Sequence, residues 1–263
     1  MDATTPETPK AVELSLPQAF LLLATNDNDG KPAVPVFALR TTVAGAILAE
    51  LDLLGAIELQ GKNVRATGAA PQTDFQRELE LIRGKSRPHT PKRWVSMLEG
   101  RAEVQHVYEQ MASRGIVEQV GERRLGLFKS ARYPEKDHGP EAALLKKIET
   151  ALSGAPSEPA KAEPAATGAT PGMEAPGAKA PAAQPESETT AAKSESTAPV
   201  AKEPDARTTA LIALLHAAGL FGKLFPGADR TRAGELAKDN WPARAVEDEL
   251  RMIRLAQEEA ATL

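Results

Sequence analysis

Cysteine is absent from the 263 residues of this chain. Its absence excludes a disulfide-stapled fold, a cysteine-based zinc site and catalysis by a thiol. Long apolar runs are also missing, because no stretch reaches the roughly 18 apolar residues that read as a membrane-spanning helix. The first residues, MDATTPETPKAVEL, lack the apolar core of a signal peptide. We therefore predict a cytoplasmic protein that does not span a membrane.

Excess charge of one sign is missing from most of the chain. The net charge is −4, but residues 153–206 contain four lysines against eight acidic residues and so account for it. The rest of the chain holds 28 basic and 28 acidic residues. A zero net charge outside residues 153–206 is not typical of a protein that binds nucleic acid nonspecifically. We expect no nucleic-acid partner.

Large apolar residues are almost missing from residues 153–206, where Met173 and Val200 are the exceptions. Such a segment cannot bury enough apolar surface to offset its ordering entropy. We predict a disordered Ala/Pro/Glu-rich linker here, and a disordered N-terminus at residues 1–11. Residues 207–263 are too few to form a comfortable core alone. We therefore expect them to be the C-terminal helical part of the domain that residues 12–152 begin.

The remaining sequence predicts a mainly α protein, a compact helical domain with small β-hairpins. Apolar residues recur at helical spacing from Val43 to Leu54, and Gly55 follows as a natural C-cap. Alternation on both sides of a Gly61 turn predicts a first hairpin. A second hairpin is predicted with its turn at Gly121-Glu122. Other helices are predicted at 17–24, 75–82, 91–98, 104–115, 144–152, 211–218 and 246–253.

Four segments resemble proteins of the Golgi phosphoprotein 3-like family, in the order that the family has. They are LPQAFLLLAT (16–25), AGAILAELDLLGAIEL (44–59), RGIVEQVGERRLGLFKSARYP (114–134) and ALIALLHAAGLFGKLF (210–225). The resemblance implies a mostly helical domain and peripheral membrane association through phosphatidylinositol 4-phosphate. In eukaryotic members it implies retention of glycosyltransferases in the Golgi. The alanine-rich, aromatic-poor composition is more similar to a bacterial member.

The same resemblance places the family's head-group pocket in this chain. A tryptophan and an arginine of that pocket fall at Pro35 and Ala44, and a basic pair falls at Arg101 and Val104. Only Arg101 keeps the chemistry of the family, and a phosphomonoester is held tightly only by several cationic donors. We therefore expect the specific pocket to be degraded.

A basic loop is the strongest charge cluster of the sequence. It comprises Arg83, Lys85, Arg87, Lys92 and Arg93, with no acidic residue between them. Together with Arg101, these residues are our candidates for binding an anionic, phosphoinositide-like head group, because each cation near an anionic leaflet contributes about 1 kcal/mol. The alternative is a solvated loop whose cations pair with Glu78, Glu80 and Glu99.

The second hairpin is a further candidate surface. It carries basic residues next to apolar ones, namely Arg123, Arg124, Leu125, Leu127 and Phe128. Such a hairpin suits insertion into a membrane interface, or a homo-oligomer contact through its strand edge. Packing on its own core is the third alternative.

Catalytic and metal-binding patterns are absent. The four histidines have no spacing typical of a metal site, and no carboxylate pair is marked for acid–base work. We expect no enzyme activity, no cofactor and no metal. The sequence favours a peripheral membrane-associated adaptor with a protein partner. The alternatives are a protein–protein scaffold of the same fold without lipid binding and, less favoured, a winged-helix-type DNA binder.

Overall fold

The computed structural model describes residues 13–121, 123–124, 127–128, 131–153 and 205–262. Within these residues the chain forms ten helices and two two-stranded antiparallel sheets. In chain order they are α1 (Leu16–Leu23), α2 (Val36–Leu53), β1 (Ile57–Gln60), β2 (Asn63–Ala66), α3 (Gln76–Arg83), α4 (Pro91–Leu98), α5 (Arg101–Ser113), β3 (Arg123–Arg124), β4 (Leu127–Phe128), α6 (Gly139–Ser153), α7 (Ala206–Ala217), α8 (Phe221–Leu224), α9 (Arg230–Ala237) and α10 (Trp241–Ala261). The mainly α class with small hairpins is confirmed.

Helix α2 is the centre of the core. Thirteen of its residues are buried, from Ala38 to Leu51, so the helix is covered on all sides. It contacts α1, α4, α5, α7 and α10. Gly45 lets α10 approach closely, because a Cβ atom there would lie 2.1 Å from Cγ2 of Val246. A helix with this environment fixes the positions of the residues at its two ends.

The structure corrects the start of α2 and adds two helices. The sequence analysis began this helix at Val43, but it begins at Val36, directly after Pro35. Because proline fixes its own φ and lacks an N–H, it suits the entry to a helix. The apolar periodicity did not predict α8 or α9. The sequence did offer a signal for α9, because aspartate is a preferred N-cap residue and Asp229 directly precedes the helix. In the structure its side chain accepts a hydrogen bond from the Thr231 N–H at 2.7 Å.

The first hairpin is confirmed and the turn of the second was predicted in the wrong place. Arg123 pairs with Phe128, and Arg124 with Leu127, so the connection lies at residues 125–126 and not at Gly121-Glu122. Isolated bridges between Val120 and Arg132, and between Val117 and Glu135, extend the same antiparallel arrangement.

Helices on both sides of residues 154–204 belong to one compact unit. Helix α7 contacts α1, α2 and α6, and α10 contacts α2 and α4. The predicted disordered linker lies outside the described residues, apart from its ends. Those ends are corrected, because Ser153 closes α6 and Asp205 caps α7 by accepting from the Thr208 N–H at 3.0 Å. The predicted disordered N-terminus, 1–11, also lies outside the described residues.

Ion pairs connect the start of α7 to the first part of the chain. Arg207 forms a bidentate pair with Glu50 at 2.6 and 3.0 Å, and the carboxylate also accepts from the Leu16 N–H at 2.7 Å. Lys147 pairs with Asp205 at 3.0 Å. The Glu50 side chain is only 7% exposed, whereas both partners of the second pair are about half exposed. The start of α7 therefore lies against the middle of α6.

No helix of the described residues is long and apolar enough to cross a bilayer.

Candidate functional site

A cavity of about 340 Å³ lies where the N-terminal turns of α2 and α5 meet. Its walls combine polar, aromatic and apolar side chains. They include Pro32, Val36, Arg40, Arg101, Tyr108 and Tyr133. We call it the arginine cavity, after its two guanidinium groups.

One wall of the arginine cavity is built by a close contact between two loops. The Tyr133 N–H donates to the carbonyl of Gly30 at 3.3 Å. Gly30 has φ +63°, and a Cβ atom there would lie 2.4 Å from the backbone nitrogens of Tyr133 and Pro134. Glycine is required at this position for both reasons. The contact holds Tyr133 against the loop that precedes α2.

Two stacked tyrosines form the floor of the cavity. The rings of Tyr108 and Tyr133 are parallel, with centroids 4.2 Å apart. The Tyr108 hydroxyl is hydrogen-bonded to the Thr25 hydroxyl at 2.7 Å, and burial raises the pKa of Tyr108 to about 12. Burial and the charge of Glu109 raise the pKa of Tyr133, and the nearby Arg101 opposes them. The pair is thus neutral and rigid at physiological pH.

The two arginines have no strong partner in the part of the chain that the structure describes. Neither guanidinium forms an ion pair or a side-chain hydrogen bond with a described residue. Arg40 is half-buried, and Glu99 lies near it. Glu99 itself accepts a hydrogen bond from the Thr41 hydroxyl at 2.8 Å, and burial and Glu249 raise its pKa. Two guanidinium groups therefore keep their donors for a ligand.

The residues of the basic loop are not in this cavity. Arg83 ends α3 and donates to the carbonyl of Ala69. Lys85 and Arg87 are exposed, and Arg93 is exposed in the first turn of α4. Lys92 pairs with Glu249 at 3.9 Å. Within the described residues, none of the predicted pairs with Glu78, Glu80 or Glu99 forms. Only Arg101 of the predicted cations lines the arginine cavity.

The candidate hairpin surface is described by its backbone alone. Arg123, Arg124, Leu127 and Phe128 lie in β3 and β4, and Leu125 lies outside the described residues. Its membrane and oligomer roles stay predictions.

A second cavity, of about 370 Å³, lies beside the Glu50–Arg207 pair. Two of its charged groups, Arg207 and Glu50, pair with each other, and the Arg114 guanidinium donates to the Gln18 side-chain carbonyl oxygen at 2.7 Å. Gln18 is fully buried and also donates to Gln110 at 3.0 Å. This cavity is best explained as part of the junction between α7 and α1.

The sequence comparison gives the family. A sequence model described as Golgi phosphoprotein 3 (GPP34) matches residues 16–253. The chain belongs to the Golgi phosphoprotein 3 family. A search of curated proteins gave no match. The recognition made from four short segments is therefore confirmed over nearly the whole chain.

Of the four expected pocket positions, the structure places two in the arginine cavity. Arg101 and Val104 line the arginine cavity, Pro35 is the N-cap of α2, and Ala44 is fully buried two turns into α2. Sequence reasoning missed Arg40. The signal was its spacing, because residues four apart lie on the same face of a helix and Arg40 precedes Ala44 by four. An arginine is thus present one turn earlier than expected.

Proposed function

We propose that this Golgi phosphoprotein 3 family member is a peripheral membrane adaptor that holds anionic lipid head groups in the arginine cavity. The observation that carries the proposal is the pair of guanidinium groups, Arg40 and Arg101, that line one cavity without an ion-pair partner among the described residues. Guanidinium groups bind phosphate oxygens through paired hydrogen bonds. The cavity is within the range of volumes that small ligands occupy.

The rim of the cavity also suits a membrane surface. Val36 lines the cavity and is 54% exposed, in the first turn of α2. An apolar side chain beside two cations is the combination that interfacial binding uses, because the apolar group enters the boundary while the cations meet head groups. Lys85, Arg87 and Arg93 of the basic loop would add attraction without adding specificity.

Selectivity for phosphatidylinositol 4-phosphate is not expected. Ala44 and Val104 supply no donors where the family places two basic residues, and Pro35 supplies no aromatic ring. Arg40 restores one cation but comes from a different turn of α2. A phosphomonoester should therefore gain little over other anionic lipids at equal charge. A clear preference for that lipid in matched-charge vesicles would refute this part of the proposal.

The test is flotation of the full chain with anionic vesicles. The double variant Arg40→Ala/Arg101→Ala removes about 2 kcal/mol of attraction, at about 1 kcal/mol per cation, so binding should weaken by roughly 30-fold. The matched control is Arg251→Ala/Arg254→Ala, which removes the same charge from two exposed positions of α10. Equal binding by both double variants would contradict the role of the arginine cavity.

The basic loop has its own variant. Replacing Arg87, Lys92 and Arg93 with alanine should weaken binding to every anionic vesicle alike, and added salt should reduce the difference from the unmodified chain, because exposed charges are screened within about 10 Å at 0.1 M. If neither the unmodified chain nor any variant binds vesicles, the protein–protein scaffold becomes the favoured function.

A further inference from the structure

Three titratable side chains, those of Asp27, Glu135 and His138, come together from two parts of the chain, and Glu141 follows them in sequence. Asp27 lies in the loop between α1 and α2, Glu135 precedes α6, His138 is the residue before that helix, and Glu141 is in its first turn. One ligand atom from each of Asp27, Glu135 and His138 lies within 4.8 Å of the others. We call this group the carboxylate–histidine cluster.

The backbone fixes the cluster. The Glu135 N–H donates to the carbonyl of Asp27 at 3.1 Å, and the neighbouring Pro134 carbonyl accepts from the Glu118 N–H at 2.9 Å. The Lys136 N–H donates to Ile116 at 2.8 Å. The Ala142 N–H donates to the His138 carbonyl at 3.1 Å, so His138 is fixed by α6. The main-chain segments that carry these side chains are therefore held next to one another.

Glu135 is the decisive residue of the cluster. Its side chain is only 3% exposed. One carboxylate oxygen, Oε2, contacts Nδ1 of His138, and the other, Oε1, is buried without a hydrogen-bond partner among the described residues. A buried carboxylate oxygen without a donor is rare in folded proteins because its desolvation is not compensated. This oxygen points to a missing cationic ligand.

The cluster holds more negative charge than its surroundings neutralise. Burial, with the charges of Asp27 and Glu135, raises the pKa of Glu141 to about 7. Within the described residues, no lysine or arginine forms an ion pair with any of the three carboxylates. The N-terminus of α6 stabilises Glu141 in its first turn but does not reach the other two in the same way. The partial positive charge at the N-terminus of α6 also repels a cation, but the negative charge of three carboxylates is larger than this partial charge.

We propose that Asp27, Glu135 and His138 bind one divalent first-row transition-metal ion, such as Mn²⁺ or Zn²⁺. Carboxylate oxygens suit Mn²⁺ and an imidazole nitrogen suits Zn²⁺ and its neighbours, whereas Mg²⁺ and Ca²⁺ favour oxygen ligands alone. The ion would bind Oε1 of Glu135 and separate the crowded carboxylates. It would join the loop before α2 to the start of α6.

The site has a structural consequence for the arginine cavity. Gly30 and Tyr133 line that cavity, and they lie three and two residues from Asp27 and Glu135. A metal ion at the cluster would therefore fix the wall that these two residues form. Metal binding does not depend on lipid binding, so each proposal can fail without the other.

The experiment is a titration of the full chain, stripped of metal with a chelator, by MnCl₂, ZnCl₂, MgCl₂ and CaCl₂. We expect one saturable Mn²⁺ or Zn²⁺ per chain and a rise in melting temperature. The variant His138→Ala should bind the ion at least about tenfold more weakly. Replacing a residue that only hydrogen-bonds to a metal ligand already lowers the affinity by about tenfold, and His138 is proposed as a ligand itself. His138 is 74% exposed, so its replacement spares the core.

The matched control is His106→Ala, an exposed histidine of α5 that hydrogen-bonds to Gln110. Its affinity should equal that of the unmodified chain. A second variant, Glu135→Gln, should be more stable than the unmodified chain without metal, since it removes a repelling charge, and should lose the stabilisation by metal. The proposal is overturned if no saturable site is found, if His138→Ala binds as tightly as His106→Ala, or if Glu135→Gln keeps the metal-induced rise.

Discussion

Replacing Arg207 with alanine should destabilise the whole fold, because Arg207 pairs with a carboxylate that is almost fully buried. The Glu50 side chain is 7% exposed, and the two bonds to Arg207 are 2.6 and 3.0 Å long. Glu50 also accepts from the Leu16 N–H at the start of α1. The single carboxylate thus connects α2, α1 and α7.

The expected loss is about 3 kcal/mol. Removing one partner of a buried ion pair costs roughly 3–5 kcal/mol, because the other charge remains buried without compensation. The Arg207 side chain is 26% exposed, which places this pair at the lower end of the range. For a domain of this size, the melting temperature should fall by about 6–12 °C.

The assay is urea unfolding of the unmodified chain and of three variants. Lys147→Ala is the matched control, because it breaks an ion pair of α7 whose partners are 54% and 49% exposed, and it should cost under about 1 kcal/mol. The double variant Glu50→Gln/Arg207→Ala removes the stranded charge and keeps an acceptor for the Leu16 N–H. It should be more stable than Arg207→Ala alone. A loss from Arg207→Ala within about 0.5 kcal/mol of the control would refute the reasoning.

Three further predictions concern the backbone, pH and the segment between α6 and α7. Gly30→Ala should lower the free energy of unfolding by about 3 kcal/mol or more, because φ is positive there and the new Cβ would meet the backbone of Tyr133 and Pro134. The control Gly61→Ala has the same φ of +63° but open space, and it should lower the free energy of unfolding by about 1 kcal/mol. Equal losses of stability in thermal unfolding would contradict the packing argument. Burial raises the pKa of Asp205, but hydrogen bonds with Lys147 and Thr208 outweigh burial, so the pKa lies below its usual 3.8. The stabilisation that Asp205 gives is therefore present above about pH 4 and is lost as the pH falls through the lowered pKa. The free energies of unfolding of Asp205→Asn and of the unmodified chain should therefore approach each other on acidification. A difference between them that grows at low pH would contradict this prediction. Joining residues 155 and 205 by a short Gly/Ser bridge should leave the melting temperature nearly unchanged, because each halving of a loop changes the free energy of closing it by only about 0.6 kcal/mol. Truncation after Leu152, by contrast, should cause aggregation. A 1–152 fragment that is soluble and melts cooperatively would show two independent units.

Periodicity was sufficient for most helices, and it failed where local signals were short or ambiguous. The stripe from Val43 to Leu54 predicts α2, but its first two turns hold a run of four apolar residues, Val36 to Leu39, followed by three polar ones, and such a run has no helical spacing. The proline before Val36 was the better mark of where the helix begins. In the second hairpin, two glycines competed for the turn, and only the pairing register decides between them. Helix α8 has four residues, too few for a periodic pattern.

The candidate site was harder to predict than the fold. Arg101 was found because it keeps a family position, but Arg40 was missed because a helix can present an equivalent side chain from the next turn. Spacing between histidines indicated no metal site. The carboxylate–histidine cluster needs Asp27, which lies more than one hundred residues before Glu135, so chain proximity does not connect them. Only the contact between their backbones does.

The meeting of Lys147 and Asp205 implies that this protein could be assembled from two polypeptides. Lys147 in the middle of α6 pairs with Asp205 at the start of α7, while the buried Glu50–Arg207 pair and the apolar face of α7 stabilise the junction. A covalent link across such a junction acts mainly by raising the effective concentration of one half for the other. Fragments ending at residue 154 and beginning at residue 203, if produced together, should therefore reconstitute a native complex. Fusing a reporter half to each new end would turn the junction into a genetically encoded sensor of folding.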